Sequence, residues 1–181
     1  MPLHESSYGT PAVELIERKL LIATAPIDFQ NIPPRFTHLK LIGSVRDPSA
    51  NVHVGLRFRF NNDSGNNYSS SHGELDATSF TGITDITSSY ILFGRVLANS
   101  VSIDAFTVFE LTIPDYTNPD HFKSCVGLFQ GSDADTSAGQ MIGYGGGVWR
   151  ASTAINRILV WSDIGAGDFS AESCVSLYGY L

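Results

Sequence analysis

Residues 52–60 read VHVGLRFRF, and the residue types alternate without a break. Val52, Val54, Leu56, Phe58 and Phe60 take one side; His53, Arg57 and Arg59 take the other. Successive side chains of a strand project to opposite faces, so a two-residue period with one apolar side marks a half-buried β-strand. A helix would space its apolar residues three and four apart, and these are two apart. The stretch sets an all-β expectation.

Its neighbours extend the pattern. THLKLIGSVR (37–46) puts Leu39, Leu41 and Gly43 on one side and His38, Lys40, Ile42 and Ser44 on the other. DPSAN (47–51) between the two supplies turn residues. AVELIERKLLIATA (12–25) fits a helix through Val13, Ile16 and Leu20, and a strand through Ile16, Arg18, Leu20 and Ile22. Its β-branched ending favours the strand. Further strands are expected in SYILFGRVLA (89–98), AFTVFELTIP (105–114), HFKSCVGLFQG (121–131), GQMIGYGGGVWR (139–150), INRILVWS (155–162) and ESCVSLYGYL (172–181). Residues 61–89 are polar and read as a long loop with one short strand at most. The sum is an antiparallel β-sandwich, jelly-roll-like, of eight to ten strands. It forms a single domain over 13–181 behind a short polar N-terminal arm, 1–12. The run GGG (145–147) weakens the strand around it and marks a bulge or a close approach of another backbone.

At 181 residues the chain is long enough to bury a full core without staples. Only 16% of residues are charged and the net charge is −7, with no Lys/Arg cluster, which speaks against direct nucleic-acid binding. No apolar run approaches the length of a membrane helix, and the start MPLHESSYGTP does not have the form of a secretory signal. Cys125 and Cys174 have no metal-ligand spacing and read as buried free thiols rather than a disulfide.

Motifs for chemistry are scarce. The five histidines (4, 38, 53, 72, 121) are scattered; His38 and His53 could meet across a hairpin, but outward-facing polar residues are the simpler reading. GYGGGVW lacks the lysine and the following helix that a phosphate cradle needs. A glycosidase-like site needs two facing carboxylates; Glu110 and Asp115 lie near one strand end and Asp133 and Asp135 share a loop, but carboxylates so placed are more often solvated turn residues. No nucleophile stands out, and the expectation is a protein that is not an enzyme and carries no cofactor or metal.

After the opening strand comes FNNDSGNNY (60–68). Asn61, Asp63, Asn66, Asn67 and Tyr68 offer oxygens and a ring for calcium or a glycan. The same residue types build tight turns, because Asn, Asp and Gly tolerate left-handed backbone angles. Asn62-Asp63-Ser64 and Asn67-Tyr68-Ser69 also match glycosylation sequons. Turn is the favoured reading, with calcium or glycan contact behind it. At the chain's end Tyr178 and Tyr180 share one face, opposite Val175 and Leu177, so one set faces solvent or a partner. Tyr8 and Pro11 in the arm are further partner-contact candidates.

Phe60–Tyr68 resembles the F-N-x-D-x-G-x-N-Y segment of a β-sandwich domain common in structural gene clusters of tailed bacteriophages. ELIER (14–18), IPPRFTHLKLIGSVR (32–46), IPDY (113–116), GGVWRASTAINRI (146–158) and FSAESCVSLYGY (169–180) fall in the same order, so the resemblance spans 13–181. Glu172 stands where that family usually has Gly, Cys174 where it has a smaller residue, and two residues follow the final Gly. The resemblance implies a virion surface protein with no catalytic residues to carry over and no cofactor, self-associating as a homotrimer or displayed on a larger lattice. Two roles follow from it. One is a capsid decoration or cement protein docking on neighbouring capsid subunits. The alternative is a tail-fibre or spike tip that recognises host surface glycans.

Overall fold

The computed structural model describes residues 12–76, 78–133, 139–163 and 168–181. Most of the expected N-terminal arm, with Tyr8 and Pro11, lies outside the described residues, as does Asp135. Twelve strands are described: β1 (Val13–Leu20), β2 (Ile27–Phe29), β3 (His38–Val45), β4 (His53–Phe60), β5 (Tyr68–Asp76), β6 (Ser79–Ser88), β7 (Ile91–Leu97), β8 (Thr107–Pro114), β9 (Lys123–Gly131), β10 (Met141–Trp149), β11 (Ile158–Ser162) and β12 (Cys174–Tyr180). They form an eight-stranded sheet, order β1-β12-β3-β8-β9-β10-β5-β6, facing a four-stranded sheet, order β2-β11-β4-β7. Every described ladder is antiparallel.

The all-β sandwich is as expected, and the opening strand behaves as its alternation requires. In β4, Val54, Leu56, Phe58 and Phe60 are buried while the residues between them are half-buried. The ambiguous N-terminal segment is indeed a strand. Two expectations change. The strand count rises from eight to ten to twelve, and the supposed long loop at 61–89 holds the β5–β6 hairpin. YSSSHGELD and SFTGITDITS are poor in large apolar residues, so they hide from a periodicity search, yet Thr, Ile, Phe and Tyr suit a pleated strand. β2 escapes notice because it is only three residues long.

The core is a stack of rings held between the sheets. Phe58 and Phe93 from the smaller sheet meet edge-on at 5.4 Å between centroids. Phe109 packs on Phe58 at 5.7 Å and Phe129 on Phe93 at 6.0 Å, carrying the stack into the larger sheet. Glycines make the room. A Cβ at Gly43 would strike the Phe109 ring, and one at Gly94 or Gly143 would strike the Phe129 ring. Large residues are thus seated over absent side chains, the interdigitation that close packing demands.

GGG is neither a bulge nor a break: β10 keeps continuous register with both β5 and β9 throughout Met141–Trp149. The glycines serve close approach instead. A Cβ at Gly145 would overlap the Phe93 carbonyl oxygen of β7, and one at Gly147 would lie 2.6 Å from the Ser69 carbonyl oxygen. Gly145→Ala should therefore cost about 3 kcal/mol or more, since a backbone carbonyl cannot swing aside. Gly82→Ala, in open space on β6, should change stability by less than about 1 kcal/mol. Urea unfolding of the two variants against wild type checks the contrast.

Candidate functional site

The Asn-rich loop between β4 and β5 is bound into the fold through Asn61, Asp63 and Asn67. Asn61 and Asn62 both occupy the left-handed region, with φ of 50° and 59°. Asn61 Oδ1 accepts from the backbone of Asn156 at 2.8 Å, and its Nδ2 donates to the Ala154 carbonyl at 2.8 Å. Asp63 Oδ2 accepts from Trp149 Nε1 at 2.7 Å and from Asn67 Nδ2 at 2.9 Å, while Oδ1 accepts from the Gly65 backbone at 2.9 Å. Arg150 closes the far side, donating to the Asn66 carbonyl at 2.7 Å. These donors outweigh the cost of burial and hold the Asp63 carboxyl below its ordinary value.

Tyr68 corrects an expectation outright. It is completely buried, its ring stacks on Trp149 at 6.3 Å, and its hydroxyl bonds both the Phe60 backbone N–H and carbonyl. A glycan cannot reach it. Asn61, Asp63 and Asn67 are committed to the fold in the same way, which leaves Asn66 as an exposed residue whose carbonyl is already used. The block is a structural turn. Asp63→Ala should leave the buried Trp149 N–H without an acceptor and cost about 1–3 kcal/mol by urea unfolding. Millimolar calcium should leave the wild-type unfolding midpoint unchanged.

The other candidates disperse. Tyr178 and Tyr180 are half-buried on β12, facing away from the core that Val175 and Leu177 enter. His38 and His53 lie in different sheets and do not meet. His38 Nδ1 accepts from the Asp115 backbone at 3.2 Å, and Arg95 donates to His53 Nε2. Glu110 pairs with Lys40 at 2.7 Å, and Asp133 accepts from the Ser102 backbone at 3.1 Å. Cys125 is a buried free thiol, pushed up to about 12 by burial, and Cys174 is free and half-buried. Among the described residues no three His, Cys, Asp or Glu side chains gather as a metal site.

Two features were not anticipated. The first is a pocket of about 230 Å³ between the sheets, whose largely apolar lining includes His53, His72, Arg95 and Asp163. Behind it Arg95 Nε meets Glu74 Oε1 at 2.7 Å. Burial, and next the Arg95 cation, lower the pKa of both His53 and His72 from 6.5. A histidine whose folded pKa lies below its unfolded value binds protons better when unfolded. Stability is then full above pH 6.5 and falls as the pH drops through that value. Glu74, raised from 4.5 by burial, works in the opposite sense. Unfolding midpoints measured from pH 8 to 5 should fall in wild type, and the fall should shrink in His72→Gln.

The second feature is the outer face of the eight-stranded sheet. Ile42 (β3), Val108 (β8), Val126 and Leu128 (β9), and Ile142 and Tyr144 (β10) are each 47–61% exposed. Register places them side by side: Ile42 opposite Glu110, Glu110 opposite Leu128, Leu128 opposite Tyr144. A shallow groove of about 330 Å³ runs among Ile42, Val108, Leu128 and Ile142. A hint was present in the sequence, because β8, β9 and β10 carry apolar residues on both alternating sets, as strands buried on both faces do.

No family model and no curated protein matches the chain. Among solved structures, the CBM40 domain of the Ruminococcus gnavus IT-sialidase bound to α2,3 sialyllactose aligns over 93% of this chain and 94% of its own, with 7% identity and a TM-score of 0.32. Scytalido-glutamic peptidase with a peptide-based transition-state analogue aligns over 90% of this chain and 66% of its own, with 7% identity and a TM-score of 0.24. At such scores neither neighbour bears on function.

Proposed function

We propose that this chain is a non-enzymatic structural protein of a tailed-phage virion surface, decorating the capsid by docking the outer face of its eight-stranded sheet on neighbouring shell subunits. The observation that carries the docking is that face. A contiguous apolar surface on a domain whose own core is complete marks an interaction site. Among the described residues, the charges in its central rows are Glu110 and Lys40, and the two pair with each other at 2.7 Å. The virion setting rests on the ordered motifs, from FNNDSGNNY to FSAESCVSLYGY, that resemble phage β-sandwich domains.

The glycan-binding alternative has less to work with. Sugars stack on open ring faces, but Arg57 lies over Tyr90 at 4.0 Å and Arg59 over Trp161 at 4.9 Å, so arginines already cover those rings. The Asn61–Asn67 turn spends its side chains on its own fold.

Leu128 and Ile142 are exposed, so Leu128→Glu/Ile142→Glu should fold with a near-wild-type unfolding midpoint. Its affinity for particles lacking the protein should fall at least about 100-fold, as loss of two central apolar anchors implies. A gold-tagged antibody against this chain should label the head surface of intact particles. Undiminished binding of the variant, or label confined to the tail tip, would contradict the reading.

A further inference from the structure

The two sheets end in four edges, and three of them are closed. β2 is only three residues long. β7 lies against β10, with Ile91, Phe93, Val96 and Leu97 all buried. β1 carries Glu14, Glu17, Arg18 and Lys19 and shifts register between Leu15 and Glu17. Charges and a bulge are the usual means of refusing an added strand.

β6 has neither safeguard along most of its length. It is ten residues long, SFTGITDITS, with Asp85 its one charge. Its register against β5 is regular from Ser79 to Asp85, the shift coming only beyond, toward Ser88. Ser79, Phe80, Thr81 and Gly82 are exposed in succession, so both faces of this part of the strand meet solvent. Phe80 and Ile86 are 64% and 73% exposed. A long, nearly uncharged edge rich in Thr, Ile and Phe is a template for another strand.

We propose that β6 pairs antiparallel with β6 of a second copy, about a two-fold axis at Ile83, joining two eight-stranded sheets into one. The residues choose this register. It sets Phe80 opposite Ile86 of the partner subunit, Thr81 opposite Asp85 of the partner subunit, and Gly82 opposite Thr84 of the partner subunit. Both exposed apolar side chains gain a cross-strand neighbour, and Asp85 faces a hydroxyl. An axis at Asp85 would set like charges against each other, and an axis at Thr84 would leave Ile86 facing a glycine.

The outer face supports the same arrangement. One row of that face runs Val108, Gln130, Ile142, Leu75, Phe80 across five strands. In the paired sheet Ile86 of the partner subunit continues it, so pairing extends the apolar surface into the second copy. The alternative occupant, β1 of another copy, would bring four charged residues to the seam and build head-to-tail rings or fibres rather than a closed pair. The inference goes beyond the virion reading and does not depend on it.

A charge swap on the full chain tests both the pairing and its register. Wild type should sediment as a dimer at micromolar concentration. Phe80→Lys/Ile86→Lys and Phe80→Glu/Ile86→Glu, altered at exposed sites and confirmed folded by circular dichroism, should each dissociate at least about 100-fold more readily. Mixed together, the two variants should dimerise again, because the lysine of one then faces the glutamate of the other. Leu128→Glu/Ile142→Glu should remain a dimer, which separates this edge from the proposed docking face. A wild-type monomer at 100 µM, variants that dimerise undisturbed, a mixture that stays monomeric, rings or fibres, or a dimer lost on altering Leu128 and Ile142 would each overturn the proposal.

Discussion

The sandwich depends on how closely β7 can lie on β10. Gly145 permits the Phe93 carbonyl to sit where a side chain would otherwise stand, and that contact sets the separation of the two sheets at this point. The Phe58, Phe93, Phe109 and Phe129 rings then fill the gap, each edge against the next, over Gly43, Gly94 and Gly143. Four strands cannot cover eight. With β7 closing on β10 and β5, the hairpin strand β6 is left at the sheet's margin, its first residues, Ser79 to Gly82, open on both faces.

The loop that looks most like a ligand site turns out to join two parts of the chain. Asn61 and Asp63 reach Asn156 and Trp149, Arg150 reaches back to Asn66, and Tyr68 stacks on Trp149. FNNDSGNNY and GGVWRASTAINRI, far apart in sequence, therefore form one hydrogen-bonded unit at one end of the sandwich. Residues with oxygen-rich side chains serve here as acceptors for backbone and indole N–H groups that burial would otherwise leave unsatisfied. Their pattern reflects folding rather than recognition.

How much of this could be read in advance varied with the physics of each segment. β3 and β4 were legible because one face is buried and the other is not, so the alternation is clean. β5 and β6 were not: β5 buries Ser70, His72 and Glu74 where a periodicity argument looks for apolar residues, and β6, at the sheet's margin, is mostly exposed. The purpose of GGG was half legible: glycine in a strand announces a close neighbour, but only the fold identifies it as Phe93. Tyr68 was misjudged because a tyrosine beside a polar turn looks exposed, whereas its hydroxyl spans the backbone of Phe60 from within. The outer face is hard to read for a related reason: Val108, Leu128 and Ile142 alternate with core residues along their strands, so sequence alone does not separate them from the core.

On the reading proposed above, the outer face of the eight-stranded sheet is covered in the assembled particle. A cryo-electron microscopy map of intact particles at side-chain resolution would show Ile42, Val108, Leu128 and Ile142 packed against another virion protein, with the Asn61–Asn67 turn making no ligand contact. A map with that face bare to solvent, or with the domain held to the particle by another surface, would contradict it.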